Sequence, residues 1–235
     1  MGNAASGGAD RLACVALSHV IQCRRNELLA LRREMSASAA QHTSQNGRMV
    51  ARKDFDAAQT ALNIDEADQE VYDRLFTLFD KTGAGKVDYL ELVVGLAPLI
   101  PGTLNERLLL GLQLVDEDGK GWVDKSEMLF CFRSMSRCCG FLSDPEMSLS
   151  TLEELCSSLF VAHQASGTSG GGDNLEEAFE YDENVGAIAE HPLFEKWLRA
   201  KDDELVINAS KFKQGGGSVA SATTSSGTGE SKDGE

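Results

Sequence analysis

Two twelve-residue segments with nearly the same pattern constrain the fold of this chain more than any other feature. The first, DKTGAGKVDYLE, begins at Asp80, and the second, DEDGKGWVDKSE, begins at Asp116, 36 residues later. Each starts with aspartate, has glycine at its sixth position and ends with glutamate. A repeat of this length, flanked by apolar residues at intervals of three and four, predicts two consecutive helix–loop–helix units.

The oxygen-bearing residues of both segments have the spacing of a calcium-binding loop. Ca²⁺ is a hard cation that takes about six to eight oxygen ligands, and a twelve-residue loop supplies them from positions 1, 3, 5, 7, 9 and 12, with a backbone carbonyl at position 7. In the second segment these positions hold Asp116, Asp118, Lys120, Trp122, Asp124 and Glu127. In the first segment they hold Asp80, Thr82, Ala84, Lys86, Asp88 and Glu91. The spacing therefore predicts Ca²⁺ as the ligand of both loops.

The two loops differ in the ligands that they offer. In the first, Ala84 brings no oxygen and Thr82 brings a neutral one. In the second, only position 5 departs from the pattern, but Lys120 places a positive charge where an oxygen normally points inward. We predict weak Ca²⁺ binding at both loops, with the Asp116 loop the better site and Mg²⁺ as a second cation. The alternative is that a loop keeps the EF-hand shape as a packing unit and binds no metal. This alternative is stronger for the Asp80 loop than for the Asp116 loop.

Residues 70–138, which contain both loops and their flanking segments, resemble the EF-hand calcium sensors. The similar groups are the neuronal calcium sensors, the calcineurin B-type subunits and the calaxin-like proteins. The resemblance implies an all-α fold of helix–loop–helix hands paired in two lobes, with degenerate outer hands. It implies an N-terminal lobe at 10–98, with hands at 27–62 and 70–98, and a C-terminal lobe at 104–200, with hands at 104–138 and 149–197.

Helical periodicity covers most of the chain between its two ends. Asp65 is a predicted cap for a helix from 66, and Thr103 with Glu106 has the spacing of a capping box before a helix from 104. Val87 and Val123, at the eighth position of their loops, are predicted to pair with each other or each with a degenerate loop. The predicted helices cover 10–35 (as one helix or two), 53–62, 66–79, 88–97, 104–115, 125–137, 149–163, 175–190 and 192–200.

Both ends of the chain are predicted to be flexible, and the first carries a modification signal. Residues 1–9 are small and polar, and residues 214–235 are rich in Gly, Ser and Thr. The start, MGNAAS, fits the pattern for N-myristoylation of Gly2. One acyl chain holds a membrane only marginally, so a second signal is needed. Arg11, Arg25 and Arg32 would share one face of a continuous helix, and that face meets either an anionic membrane surface or only solvent.

Composition and motifs exclude several classes of function. The net charge of −15 argues against a nucleic-acid partner, which needs a basic surface. No apolar run is long enough to span a membrane, and no export signal is present, so the six cysteines are predicted to be reduced thiols in the cytoplasm. The cysteines follow no metal-binding spacing, and no catalytic motif appears, so the chain is predicted not to be an enzyme.

These features predict a calcium-responsive regulatory or adaptor protein that recruits an amphipathic helix of a target protein. Its predicted location is the cytoplasm, at the membrane periphery through N-terminal acylation. The alternative is a constitutive structural subunit of a cytoskeletal or flagellar assembly whose hands do not respond to calcium. The residues predicted to line the groove for a target helix are Leu108, Leu112, Met128, Cys131, Phe132 and Met135.

Overall fold

The structure, a computed structural model, describes residues 13–41, 47–142, 144, 146–165 and 178–197. It is mostly helical, with four short strands, as the all-α prediction requires. The helices are α1 (Ala13–Ser18), α2 (Arg25–Gln41), α3 (Arg52–Ala61), α4 (Glu66–Phe79), α5 (Tyr89–Leu96), α6 (Leu104–Val115), α7 (Lys125–Phe141), α8 (Leu149–Ala165), α9 (Tyr181–Ala189) and α10 (Pro192–Trp197). The strands are β1 (Met49–Ala51), β2 (Lys86–Asp88), β3 (Trp122–Asp124) and β4 (Ala178–Glu180). A short 3-10 helix, Ala97–Leu99, follows α5.

Local capping signals set where the helices before the two loops begin. The Asp65 side chain accepts a hydrogen bond from the backbone N–H of Ala67 at the start of α4. Thr103 and Glu106 form a reciprocal capping box at the start of α6. Both caps were predicted from the sequence, and α4 and α6 have the predicted bounds, because capping residues satisfy backbone donors that the first turn leaves unpaired.

The strands form two separate antiparallel ribbons. Val87 on β2 lies opposite Val50 on β1, and Val123 on β3 lies opposite Phe179 on β4. Val87 and Val123 therefore pair with the flanking segments and not with each other, which is the second of the two pairings that the sequence left open. Because β4 occupies 178–180, the helix predicted at 175–190 begins only at Tyr181.

The N-terminal helical region is two helices rather than one. Between α1 and α2, the backbone N–H groups of Gln22 and Cys23 donate to the Asp68 carboxylate at 2.9 and 2.6 Å. The Asp68 side chain is buried, so this tertiary contact with α4 fixes where the chain breaks between α1 and α2. Arg25 lies on α2 and Arg11 falls outside the described residues, so the continuous helix required by the predicted arginine face does not exist. That geometric argument for a membrane-facing stripe is wrong.

One hydrophobic cluster runs through the described helices, and α5, α6 and α7 cross closely within it. Glycines permit this approach. A Cβ at Gly95 would lie 2.6 Å from Cζ of Phe79, and one at Gly111 would lie 2.9 Å from Sδ of Met135. Among the described residues, no helix is long and apolar enough to cross a bilayer. Residues 1–9, with Gly2, and the tail at 214–235 lie outside the described residues.

Candidate metal centre

The loop from Asp116 to Glu127 joins α6 to α7 and holds its first predicted ligand in a fixed orientation. Asp116 is 4% exposed. Its Oδ2 accepts hydrogen bonds from the Gly121 N–H at 2.8 Å and from the Tyr181 hydroxyl at 2.7 Å, and its Oδ1 accepts from the Lys120 N–H at 3.1 Å. Gly121 has a φ of +84°, a backbone conformation that suits glycine. The turn therefore directs loop donors at the carboxylate, as a first-position ligand requires.

The electrostatics of this loop favour an incoming cation. Burial raises the pKa of Asp116, but the hydrogen bonds from Tyr181, Gly121 and Lys120 outweigh burial and bring that pKa below its usual value. Asp116 is therefore ionised at neutral pH. Burial and the nearby carboxylates of the loop raise the pKa of Glu127. A bound cation would relieve this crowding of negative charge.

Two of the predicted ligands also begin α7. The Glu127 N–H donates to Oδ1 of Asp124 at 2.8 Å, and the Asp124 N–H donates to Oε2 of Glu127 at 2.9 Å. These reciprocal bonds are a capping box. Oε2 of Glu127, which accepts the bond from the Asp124 N–H, is one of the two oxygens that a bidentate Glu127 would offer to a cation. A cation at this loop would therefore share Glu127 with the first turn of α7.

Lys120, the residue that departs from the ligand pattern, lies at the surface against its own loop. Its ammonium forms an ion pair with Asp118 and lies 4.8 Å from the centroid of the Trp122 ring. The hydrogen bond to Asp118 raises the pKa of Lys120. Lys120 therefore opposes cation binding in two ways. It places a positive charge at a ligand position, and it pairs with the carboxylate of Asp118, another predicted ligand.

In the loop from Asp80 to Glu91, cationic side chains of the chain itself pair with two of the predicted ligands. Asp88 pairs with Arg48 at 3.1 Å. Glu91, which is 6% exposed, accepts from Nζ of Lys81 at 2.9 Å and from the guanidinium of Arg137 at 3.1 Å. A cation that binds here has to displace these partners. The structure gives a physical reason to expect the weaker binding at this loop.

Two further predicted ligands of the first loop, Asp80 and Thr82, form hydrogen bonds within the loop. Oδ2 of Asp80 accepts from the Gly85 N–H at 2.7 Å, and its Oδ1 accepts from the Thr82 hydroxyl at 3.2 Å. Lys86 and Trp122, whose carbonyls are the predicted seventh-position ligands, begin β2 and β3. Within the described ranges, no three carboxylates of either loop converge within 4.8 Å. The side chains of either loop would have to draw together around a cation.

Tyr181, whose hydroxyl donates to Asp116, is not among the residues predicted for the site. Tyr181 directly follows β4, just as Tyr89 directly follows β2. The segment FEYDE at Phe179–Glu183 matches VDYLE at Val87–Glu91 in its apolar, acidic, tyrosine and final glutamate positions. This similarity between the two segments could have predicted β4 and its register against β3.

Helix, loop, short strand and helix, joined in pairs by antiparallel ribbons, define the EF-hand class of protein. The chain is 31% identical over 91 residues to the calcium-binding protein NCSA of Dictyostelium discoideum. This match covers 39% of this chain and 48% of that protein. It is 30% identical over 100 residues to the guanylyl cyclase inhibitory protein of Lithobates pipiens, covering 43% of this chain and 48% of that protein. It is 31% identical over 94 residues to guanylyl cyclase-activating protein 2 of Gallus gallus, covering 39% and 48%.

The chain thus spans about half the length of the curated relatives that it matches. No protein-family model matches it. The similarity to these sensors, together with the fold, confirms the predicted resemblance to the EF-hand calcium-sensor superfamily. Acylation of Gly2 stays a prediction.

Proposed function

We propose that this chain is a calcium-binding regulatory protein whose principal site is the loop from Asp116 to Glu127. The observation that carries the proposal is the fixed, ionised Asp116 carboxylate at the head of a loop that holds three further acidic ligands. The residues are hard oxygen donors, which fit Ca²⁺ and also Mg²⁺. The similarity to calcium-binding proteins supports the same function.

The regulatory step would be a movement of α7. Recruiting Glu127 to the cation breaks its bond to Asp124 and shifts the start of the helix. The residues predicted to line a target groove are all fully buried, so a target helix gains access only if α7 separates from its neighbours. These residues are Leu108, Leu112, Met128, Cys131, Phe132 and Met135. Exposed apolar side chains of this kind would bind the apolar face of a helix in a target protein.

Calorimetric titration of the purified chain with Ca²⁺, and separately with Mg²⁺, tests the proposed function. We expect Glu127→Gln to weaken Ca²⁺ binding more than Glu91→Gln does, because Glu127 belongs to the loop with more acidic ligands. Glu91→Gln instead removes a partner of Lys81 and Arg137, so it should lower the thermal stability more. Equal effects on Ca²⁺ affinity, or a larger effect at Glu91, would contradict the ranking of the two loops.

A second candidate function is a structural subunit whose hands do not respond to calcium. The observation in its favour is that Lys81, Arg137 and Arg48 already neutralise Glu91 and Asp88. An absence of binding heat from a folded wild-type chain, with no change in its Trp emission, would select this function. A cytoskeletal or flagellar assembly is the proposed setting in that case.

Membrane attachment is the remaining part of the proposal. The MGNAAS start supports acylation of Gly2, and a second anchor is needed for stable binding. We expect Gly2→Ala to move the cellular protein from membrane to soluble fractions and to lower its intact mass by the acyl group. Asn3→Ala, which keeps the MGxxx[ST] pattern, is the matched control. An unmodified Gly2 in every wild-type sample would contradict the proposal.

A further inference from the structure

Two cysteines and an aspartate that belong to neither EF-hand loop meet in the interior. Cys14 lies on α1, Cys139 near the end of α7, and Asp144 just beyond α7. Sγ of Cys14 and Sγ of Cys139 are 3.3 Å apart. The two sulfurs and a carboxylate oxygen of Asp144 all lie within 4.8 Å of one another, and all three residues are buried. These segments are far apart in sequence, which is why cysteine spacing gave no sign of the cluster.

Backbone hydrogen bonds hold the three residues in place. The Cys14 N–H donates to Oδ2 of Asp144 at 2.9 Å, and the Asp144 N–H donates to the Cys139 carbonyl at 3.0 Å. The carboxylate therefore lies at the start of α1 and is anchored to the end of α7. Residues held in this way need little rearrangement to bind a common ion, which lowers the cost of forming a site.

The donor set selects the class of ion. Ca²⁺ and Mg²⁺ prefer oxygen ligands throughout, whereas Zn²⁺ is bound by thiolate sulfur, imidazole nitrogen and carboxylate oxygen in a tetrahedral site. Two sulfurs and one carboxylate match Zn²⁺ and leave one position for a water. We propose that Cys14, Cys139 and Asp144 bind Zn²⁺ at a site separate from the calcium loops. Binding would release one proton from each thiol to solvent, so that two thiolates and one carboxylate face the dication.

Such a site would tie the first described helix to the far end of α7. α1 is only six residues long, and isolated helices of that length are unstable in water. A metal bridge from Cys14 to Cys139 would hold α1 against the body of the protein. This role does not depend on whether either EF-hand loop binds Ca²⁺.

Cobalt titration of the full, reduced chain tests the site, because thiolate–Co²⁺ charge-transfer absorption reports sulfur ligation. Excess Ca²⁺ is present so that the oxygen ligands of the loops do not compete for Co²⁺. We expect one equivalent of Co²⁺ to give this absorption and Zn²⁺ to displace it. Cys14→Ser and Cys139→Ser should each weaken binding by at least about tenfold. Cys23→Ser is the matched control, since Cys23 is also buried but is not part of the cluster.

X-ray absorption of the zinc-loaded wild-type chain gives a second test that needs no variant. We expect sulfur scatterers at about 2.3 Å from zinc. A zinc shell made only of light atoms would overturn the proposal, as would Co²⁺ affinity and charge-transfer absorption that are both unchanged in Cys14→Ser. A Cys14–Cys139 disulfide in protein prepared without exposure to air would also overturn it, because the two sulfurs would then be joined to each other.

Discussion

At the scale of single residues, Lys120 is the side chain that most limits the second loop. It lacks an oxygen at a ligand position and pairs with Asp118, another predicted ligand. We expect Lys120→Asp to tighten Ca²⁺ binding by about tenfold or more, because it frees Asp118 and adds a carboxylate to the site. Trp122 is part of the loop, so its emission measures binding in a Trp197→Phe background, which leaves one Trp in the chain.

A second lysine substitution distinguishes the effect of a new ligand on Ca²⁺ affinity from the effect of added negative charge alone. Lys125 is exposed at the start of α7 and is not at a ligand position. Lys125→Asp changes the charge by the same amount as Lys120→Asp, and we expect a much smaller gain in affinity from it. If Lys120→Asp left the binding midpoint unchanged in a folded protein, the loop would not be a metal site and the structural-subunit function would be favoured.

The spacing of the sequence gives the predicted ligand positions but not the partners that hold those side chains. The interval from Asp116 to Glu127 follows from the oxygen spacing of one contiguous segment. The hydroxyl of Tyr181 that orients Asp116, by contrast, comes from a segment 65 residues away. The same holds for Glu91, whose partner Arg137 lies 46 residues further along the chain. Such contacts depend on how helices pack, which a local pattern does not contain.

At the scale of secondary-structure elements, the close crossing of α5 and α7 depends on Gly95. A Cβ at this position would lie 2.6 Å from Phe79 and 3.2 Å from the Ser134 carbonyl oxygen. We expect Gly95→Ala to lower the free energy of unfolding by about 1–3 kcal/mol, since the helices cannot approach as closely and the core is overpacked. Urea denaturation followed by circular dichroism measures the change.

Gly186 in α9 is the matched control for this prediction. A Cβ there meets no atom within 4 Å, and the residue is helical. Gly186→Ala should therefore raise the free energy of unfolding by about 0.5–1 kcal/mol, because alanine loses less backbone entropy than glycine on forming a helix. Equal effects of the two substitutions would show that the α5–α7 crossing is not tightly packed.

Elements with a local signal are predicted, and those set by distant contacts are not. α4 and α6 match their predicted bounds because Asp65 and Thr103 cap them from the adjacent chain. β1 and β4 are three residues long, too short to show strand alternation, and exist because each pairs with a loop strand. The break between α1 and α2 depends on Asp68, which lies more than forty residues away.

At the scale of the whole molecule, buried thiols make stability depend on alkaline pH. Burial raises the pKa of Cys23 to about 11 and that of Cys156 to about 12, from an ordinary value of 9.0. The unfolded chain therefore loses these protons at a lower pH than the folded protein does. Their contribution to stability is complete below pH 9.0 and is lost as the pH rises toward 11–12.

We expect the free energy of unfolding, measured by urea denaturation, to fall progressively above pH 9.0 under reducing conditions. Cys23→Ala and Cys156→Ala together should make this fall shallower, because two of the buried thiols with raised pKa values are removed. A decline of unchanged steepness in the double variant would assign the alkaline sensitivity to other groups.

Helix α7 touches three places of chemical interest along its length. Glu127 of the second loop lies at its start, Arg137 reaches Glu91 of the first loop, and Cys139 near its end meets Cys14 on α1. A helix of 17 residues is a rod of about 25 Å. Because all three places lie on one helix, a ligand that favours one position of α7 would alter the binding of any ion at the other two places. Thermodynamic reciprocity then requires that ligands at those places alter its own binding by the same factor.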